Sequence, residues 1–357
     1  MSKQLSLFLK MFLPLLVIVA VVHVTIFYVA GRRRDDAEQK KIHKTPPGTV
    51  NGAVPGETAL PPVAAQPRPV VPEVVQMPEQ RRFPAYDFSN SSPLPQNIQR
   101  MSHRGKSGII VDLDSRRVIW AKEPLKAVPI ASLTKLMTAL LVMEDMHSTA
   151  RFDFTTRVPV TAAATSVERS CVLGMKSGEY YPVEELIAAM MINSHNDAAA
   201  QLAAMIASNV PDFVALMNRR ARELGMDSAR FNSPNGLPQG KKRENSLCSV
   251  YDVTRLCERL LQYPELLKFC RMRNKKLHTG RVVYSHNNLL TGRRKQPPVP
   301  GLIGFKTGFT NRAGFCLAFG VERDGKRIIG CVTGFPSAND RDNFCRRLIE
   351  WAFSTKR

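Results

Sequence analysis

The feature that most constrains the fold is the order of the secondary-structure signals, because strand signals lie at both ends of the globular part of the chain. Near its start, Gly108–Asp114 and Arg117–Ala121 are predicted strands joined by a short turn. Near its end, Gly314–Glu322 and Lys326–Thr333 flank Asp324-Gly325, a dipeptide that strongly favours a β-hairpin. The two pairs of strands therefore need a common sheet if their apolar faces are to be buried together.

Helical signals lie between these strands and after them. Gly225 suits the end of one helix, and Ser249 with Asp252 resembles a capping box at the start of another. The predicted helices are Ser132–Met146, Val183–Ile192, Asp197–Ser208, Asp212–Leu224, Ser249–Gln262 and Asp340–Phe353. This order predicts an α+β fold class in which the terminal segments share one antiparallel sheet.

Two further segments precede the globular part. Residues 11–30 are largely apolar, with His23 as the one ionisable residue, and long enough to cross a bilayer. Residues 1–34 are therefore predicted to be a membrane anchor, with a cleaved signal segment as the alternative. Residues 46–95 hold 12 of the 25 prolines, so 35–104 is predicted to be a disordered, Pro-rich tether. The domain that carries the chemistry is then 105–357.

Charge and cysteine content narrow the function only slightly. The net charge of +21 favours anionic partners such as nucleic acid, acidic lipid or a carboxylate-rich polymer. The seven cysteines have no metal-ligand spacing, and we expect mostly buried free thiols. In the register set by Asp324-Gly325, Cys316 should face Thr333 and Cys331 should face Ala318, which is a poor geometry for a disulfide.

The first candidate for chemistry opens a predicted helix. Ser132 and Lys135 are three residues apart and share a helix face, so the lysine amine can reach the serine hydroxyl. A serine needs a base before it is a nucleophile, and a lysine with a lowered pKa can serve. The pattern taken alone also fits a helix N-cap beside a solvated lysine.

Two more motifs follow in the chain. Ser194-His195-Asn196 lies between two predicted helices, where a hydroxyl and an amide can bridge the base and a substrate, and the same triplet recurs at Ser285-His286-Asn287. Lys306-Thr307-Gly308 reads as the end of an edge strand, where a lysine and a hydroxyl can hold a carboxylate and the glycine allows close approach. Each motif alone also fits an ordinary polar loop or turn.

The three motifs together, in this order, resemble the set shared by penicillin-binding proteins and class A β-lactamases. Their flanking residues resemble those of the serine D-Ala-D-Ala carboxypeptidases. The segments that carry this resemblance are 129–138, 193–199, 231–238, 286–290 and 304–310, and it extends over about 105–355. The second serine-histidine-asparagine triplet belongs to the segment that precedes the lysine-threonine-glycine motif in that family, so it is interpreted as a decoy.

The resemblance implies a five-stranded antiparallel sheet flanked by helices, beside an all-α lobe, with the active site between them. It implies that Ser132 is acylated, that Lys135 activates it and that Ser194 and Asn196 line the cleft. The remaining implied binding residues are those of the carboxylate site and the oxyanion hole: Lys306, Thr307, Gly308, Phe309 and Arg341. Arg341 is expected just before the last helix, where an ordinary surface arginine is the alternative. His195 is expected either to titrate near neutral pH or to point away from the cleft.

The implied function is a peptidoglycan DD-peptidase without metal or cofactor, most simply a D-Ala-D-Ala carboxypeptidase that β-lactam antibiotics inhibit covalently. A DD-endopeptidase acting on cross-links uses the same residues and remains open. A β-lactamase is disfavoured because no E-x-x-L-N segment lies between Asn196 and Lys306. A non-catalytic penicillin-binding scaffold is disfavoured by the intact motifs, and nucleic acid is not expected as a partner. Because stem peptides are extracytoplasmic, the domain is expected there too, although the basic residues around 11–30 slightly favour the opposite orientation.

Overall fold

The computed structural model describes residues 84–89, 91–168, 170–292 and 296–354. The predicted membrane anchor at 1–34, most of the predicted tether and the basic cluster at 293–295 lie outside these residues. Within them, no single helix has the length and apolar character to cross a bilayer. Two consecutive helices, Asn196–Ile206 and Val210–Glu223, meet that test together by length and composition, with a bend of 84° between them.

A five-stranded antiparallel sheet joins the two ends of the described chain, as the strand signals predicted. The strands of this sheet are β1 (Ser107–Asp112), β2 (Val118–Lys122), β9 (Leu302–Thr310), β10 (Gly314–Arg323) and β11 (Lys326–Phe335). Their order in the sheet is β2-β1-β11-β10-β9, so β1 pairs with the penultimate element of the described chain. Three two-stranded ribbons accompany it: β3 (Val128–Pro129) with β6 (Leu247–Cys248), β4 (Arg157–Pro159) with β5 (Tyr180–Pro182), and β7 (Asn274–Lys276) with β8 (Val282–Tyr284).

The hairpin between β10 and β11 is confirmed at its turn. Asp324 and Gly325 both have positive φ, 49° and 72°, as a two-residue turn that matches the strand twist requires. Ala318 faces Cys331 as expected. The expected pairing of Cys316 with Thr333 falls at a bulge, where the register shifts between Phe315 and Leu317, so Cys316 has no regular partner on β11.

Ten α-helices complete the described residues, and the predicted ones are present with ends moved by a few residues. They are α1 (Gln96–Ser102), α2 (Lys135–Thr149), α3 (Ala162–Thr165), α4 (Val183–Ile192), α5 (Asn196–Ile206), α6 (Val210–Glu223), α7 (Val250–Leu260), α8 (Pro264–Arg271), α9 (Asn288–Thr291) and α10 (Ala338–Ser354). The expected cap is confirmed: Ser249 Oγ accepts a hydrogen bond from the Asp252 amide at 3.0 Å. Gly225 follows α6 with φ 67°.

Helices cover both faces of the sheet because alternate strand residues point in opposite directions. Ile109 of β1 packs in a large core with the helices that follow it in sequence, which include α2, α4, α5 and α7. Its neighbour Ile110 packs in a second core with α1 and α10. The α+β class and the helical lobe predicted from the sequence are therefore observed.

The folded part begins earlier than the predicted boundary at residue 104, so the tether assignment is corrected for residues 84–104. Ile98 of α1 is buried against the sheet. Before α1, the Tyr86 hydroxyl donates to Glu258 at 2.6 Å, and the Val118 amide donates to Asp87 O at 2.8 Å. Proline content was a poor guide here, because these residues are held by backbone bonds along the β2 edge and by a buried tyrosine.

All seven cysteines lie within the described residues as free thiols, and Cys171 alone is exposed. We predict that a thiol reagent modifies one cysteine quickly in the native protein and all seven in denaturant, because the other six side chains are shielded by the core. The measurement is a colorimetric thiol titration with and without guanidinium. Cys171→Ser should remove the fast reaction, and a second fast thiol in that variant would contradict the assignment.

Candidate active site

The serine and lysine of the first motif meet as their spacing predicted. The α-helix does not begin at Ser132 as predicted. A short 3-10 turn, Ala131–Thr134, precedes α2, and Lys135 is the first residue of that helix. Lys135 Nζ lies 3.0 Å from Ser132 Oγ. Ala131 has φ 47°, a conformation that non-glycine residues rarely adopt, and it sets the direction of the serine at the sharp entry to the turn.

The Lys135 amine is enclosed by oxygen atoms from separate elements. Besides Ser132 Oγ, it donates to Asn196 Oδ1 at 2.7 Å and to the Asn235 carbonyl at 2.6 Å. Lys135 is fully buried. Burial and the nearby Lys306 cation hold its pKa well below the usual value, with weaker opposing effects of Cys171 and Asp197. A buried lysine in this state can take a proton from the serine.

Asn235 is a site residue to which the sequence analysis gave no role, although its segment was part of the family resemblance. Gly236, which follows it, has φ 82°, and a Cβ there would lie 2.1 Å from the Ala131 carbonyl oxygen. Thr138 Oγ1 donates to Pro234 O at 2.6 Å and ties the same segment to α2. The Asn-Gly dipeptide was the available signal, since it marks a positive-φ turn.

The second motif occupies the loop between α4 and α5. Ser194 is buried with φ 67°, and its hydroxyl makes no hydrogen bond within the described residues. Asn196 begins α5 and holds Lys135 as described above. The His195 ring is buried and its Nδ1 lies 3.2 Å from Ala189 O, so it does not line the site. Burial lowers the pKa of His195 to about 4, which disfavours the expectation that it titrates near neutral pH.

The repeated triplet lies beside the first one without sharing its geometry. Asn193 Nδ2 donates to Tyr284 O at 2.6 Å and lies 3.3 Å from His286 Nε2. Asn287 Oδ1 accepts from the Leu289 amide and caps α9. The interpretation as a decoy holds for Ser285 and Asn287, which make turn and cap contacts where Asn196 holds the lysine.

The lysine-threonine-glycine motif lies on β9, the edge strand of the sheet, as predicted. Lys306 is buried, and burial lowers its pKa to about 8. A Cβ at Gly308 would lie 3.2 Å from the Ser132 amide nitrogen, which shows how closely the β9 backbone passes the serine. Thr307 is half-buried, and the exposed Phe309 ring packs against Phe315 with centroids 4.2 Å apart.

Arg341 lies in a buried position near the start of the last helix. It lies inside the first turn of α10 and is 3% exposed, so the alternative of a surface arginine is wrong. Its Nε and Nη2 donate to Asp342 Oδ1 at 2.8 and 2.6 Å, and its Nη1 donates to Cys316 O at 3.1 Å. Its positive charge contributes to the lowered pKa of Lys306, which places the two cations in the same region.

Comparison with known proteins identifies the family. The model of a family described as D-alanyl-D-alanine carboxypeptidase matches residues 94–337, well over half of the chain. The chain therefore belongs to the D-alanyl-D-alanine carboxypeptidase family, among the low-molecular-mass penicillin-binding proteins. The match extends upstream of the sequence-based boundary and includes α1.

Individual relatives agree with this assignment. The chain is 29% identical over 256 residues to the carboxypeptidase DacF of Bacillus subtilis, covering 71% of this chain and 63% of that protein. It is 30% identical over 216 residues to a D-alanyl-D-alanine endopeptidase of Pseudomonas aeruginosa, covering 59% and 65%. The chain thus spans a little under two thirds of these relatives. A cefotaxime-bound penicillin-binding protein of Listeria monocytogenes superposes with a TM-score of 0.62 at 27% identity, covering 70% of this chain and 98% of that one.

We predict that Gly236→Ala destabilises the protein more than Gly240→Ala does. Both glycines have positive φ, so each substitution costs about 1–2 kcal/mol in backbone strain. A Cβ at Gly240 meets no atom within 4 Å, whereas one at Gly236 meets the Ala131 carbonyl, and such overpacking adds about 1–3 kcal/mol. The check is the free energy of unfolding in urea. Equal losses in the two variants would show that the 235–236 turn is not pressed against the serine turn.

Proposed function

We propose that this protein is a serine DD-peptidase that removes the terminal D-alanine from peptidoglycan stem peptides by way of a Ser132 ester. The observation that carries the proposal is the contact of Ser132 Oγ with a fully buried lysine whose other acceptors are Asn196 Oδ1 and Asn235 O. Family membership supports the substrate class, since both the matching family and the carboxypeptidase relative are named for D-alanyl-D-alanine.

The acyl transfer uses groups of this chain alone. Neutral Lys135 takes the Ser132 proton as Oγ attacks the carbonyl carbon of the penultimate D-alanine. The proton held by Lys135 then passes to the nitrogen of the leaving D-alanine as the C–N bond breaks. Ser194, whose hydroxyl is free of other partners within the described residues, is suited to carry that proton. Water attacks the ester in the second half, with Lys135 again as the base.

Substrate binding is assigned to the β9 side of the site. Lys306, Thr307 and Arg341 are proposed to hold the terminal carboxylate, since cations and a hydroxyl give it charge-assisted hydrogen bonds. Gly308 allows the substrate backbone to lie against β9. The backbone amides of Ser132 and Phe309 are proposed to form the oxyanion hole, which the close passage of β9 by the serine supports.

A DD-endopeptidase acting on cross-linked peptides is the second candidate, because one relative at 30% identity carries that name. Covalent binding of β-lactams is proposed from the likeness to a penicillin-binding protein described in its cefotaxime-bound form.

The membrane anchor at 11–30 and an extracytoplasmic location are proposed from the apolar segment and from the location of the substrate.

The direct test digests purified muropeptides and identifies the products by mass spectrometry. We predict loss of one alanine from pentapeptides, whereas conversion of cross-linked dimers to monomers would favour the endopeptidase. Ser132→Ala should abolish both this activity and labelling by a fluorescent penicillin, while the free energy of unfolding changes by at most about 1–2 kcal/mol. Ser285→Ala, in the second triplet, is the matched control and should keep both. Unchanged muropeptides, or label retained by folded Ser132→Ala, would refute the proposal.

A separate prediction concerns Arg341. If its guanidinium helps to hold the terminal carboxylate, kcat/KM for a peptide acid should exceed that for the matched amide, and Arg341→Lys should reduce this preference roughly 10-fold or more. Lysine keeps the charge beside Asp342 but cannot reproduce the planar fork. Arg323→Lys, at a surface arginine paired with Glu350, is the control. Equal slowing of acid and amide in Arg341→Lys would leave the carboxylate to Lys306 and Thr307.

A further inference from the structure

The side chain of Asp197 is buried beside the site and has no part in the reaction proposed above. Its Oδ1 accepts from the Leu173 amide at 3.0 Å, and its Oδ2 accepts from the amides of Gly174 and Met175 at 2.9 and 3.5 Å. Oδ1 also accepts from Ala198 at the start of α5. One carboxylate therefore gathers three consecutive backbone amides of a distant loop, a stronger arrangement than ordinary neutral hydrogen bonds provide.

The same loop holds the asparagine that contacts the catalytic lysine. Asn196 Nδ2 donates to Ser170 O at 2.6 Å, and the Asn196 amide donates to Cys171 O at 2.8 Å. An asparagine amide has one acceptor end and one donor end, so the Ser170 carbonyl fixes which end faces Lys135. With Ser170 O engaging Nδ2, Oδ1 is turned to the lysine.

The loop is also held from its outer side. Arg281, between β7 and β8, donates to Leu173 O at 2.5 Å and to Val172 O at 3.4 Å. Residues 170–175, which we call the clamp loop, thus lie between Asp197 on one side and Arg281 on the other. Cys171 belongs to this loop and is exposed, so its thiol reports the state of the loop.

We propose that Asp197 is a positioning residue for acyl transfer: it holds the clamp loop, the clamp loop orients the Asn196 amide, and that amide fixes the Lys135 amine against Ser132. The proposal deepens the proposed function and rests on it. Asp197 touches neither the serine nor the lysine in this chain of contacts, so its effect is transmitted through Ser170 and Asn196.

Electrostatics gives Asp197 a second effect with a definite sign. The charged or titratable groups that act on Lys135 are Lys306 from β9, Cys171 from the clamp loop and Asp197 from α5. The negative charge of Asp197 raises the pKa of Lys135 against the larger lowering by burial and Lys306. Acylation requires the neutral amine and so increases with pH through this pKa. Removing the charge should therefore move the acidic limb of the pH profile to lower pH.

The experiment compares Asp197→Asn with Asp212→Asn in the full chain. Asp212 lies at the start of α6, where its carboxylate accepts from Asn209 at an exposed position. The readout is the second-order rate of acylation by a fluorescent penicillin as a function of pH, together with the free energy of unfolding. Asp197→Asn should lower the rate about 10- to 100-fold, since small misplacements of reacting groups have effects of that size, and should shift the acidic limb downward. Asp212→Asn should change neither.

A second variant tests the loop without relying on catalysis. Arg281→Ala releases the outer side of the clamp loop, and the rate of Cys171 modification by a thiol reagent should rise several-fold in it and in Asp197→Asn. In Arg281→Ala this rise cannot come from charge, because Arg281 lowers the pKa of the Cys171 thiol and its removal alone would slow the reaction.

The outcomes separate the two proposals. A wild-type protein that penicillin does not acylate would overturn the proposed function. The Cys171 rate in Arg281→Ala would then still show whether the clamp loop is held, whereas in Asp197→Asn the loss of charge alone lowers the pKa of the Cys171 thiol. Folded Asp197→Asn with the wild-type rate and pH profile would overturn the positioning role. So would a rate loss without any shift of the acidic limb and without faster Cys171 modification, because that pattern shows an effect on acylation that passes through neither the pKa of Lys135 nor the clamp loop. If Asp197→Asn does not fold, an unchanged acylation rate and unchanged Cys171 reactivity in Arg281→Ala would overturn it instead.

Discussion

The site depends on the removal of the Lys135 amine from water. Burying an ammonium group is costly, so the protein stabilises the neutral form, and among the described residues the hydrogen-bond partners of Nζ are all uncharged oxygens. These oxygens come from the serine turn, the start of α5 and the 235–236 turn, which are far apart in sequence. The fold therefore has to bring three elements to one nitrogen atom. Gly236 makes this possible, because any side chain there would separate the 235–236 turn from the turn that carries Ser132.

A second lysine, Lys306, adds a positive charge to the surroundings of Lys135, where a salt bridge would supply a negative one. Lys306 is buried near Lys135, and its positive charge disfavours protonation of the Lys135 amine. Arg341, by contrast, donates to one carboxylate oxygen of Asp342, whose other oxygen accepts from Asn288 at 2.8 Å. The result is a region with one compensated guanidinium and two lysines of lowered pKa. Under the proposed function, this positive region attracts the terminal carboxylate of the substrate, and the lowered pKa of Lys135 favours its neutral amine as the base.

Sequence reasoning reached the parts of the structure that local chemistry determines. The Asp324-Gly325 turn, the Ser249 cap and the contact of Ser132 with Lys135 follow from φ preferences, capping and helix periodicity. It did not reach the pairing of Cys316, because a bulge depends on packing at the sheet rim and leaves the hairpin dipeptide unchanged. The early start of the domain was missed for a related reason, since proline counts say nothing about which backbone groups lie along a sheet edge. The burial of Arg341 was missed because its contact with the Cys316 carbonyl is long-range, although its carboxylate partner Asp342 is the next residue in the chain.

The two serine-histidine-asparagine triplets show why residue identity alone does not define a site. In the first copy, positive φ at Ser194 turns the chain between α4 and α5, so that Asn196 begins a helix aimed at Lys135. In the second, Asn287 Oδ1 caps α9 and the serine hydroxyl accepts from the Asn287 amide, while Asn287 Nδ2 is buried without a hydrogen-bond partner among the described residues. The two copies differ in the contacts of the residue that follows the asparagine. Asn196 is followed by Asp197, whose carboxylate binds a separate loop and holds the asparagine amide in place through it, whereas Asn287 is followed by Asn288, which binds Asp342 on α10. The chemistry of the first triplet thus comes from the contacts of its neighbour as much as from its own side chains.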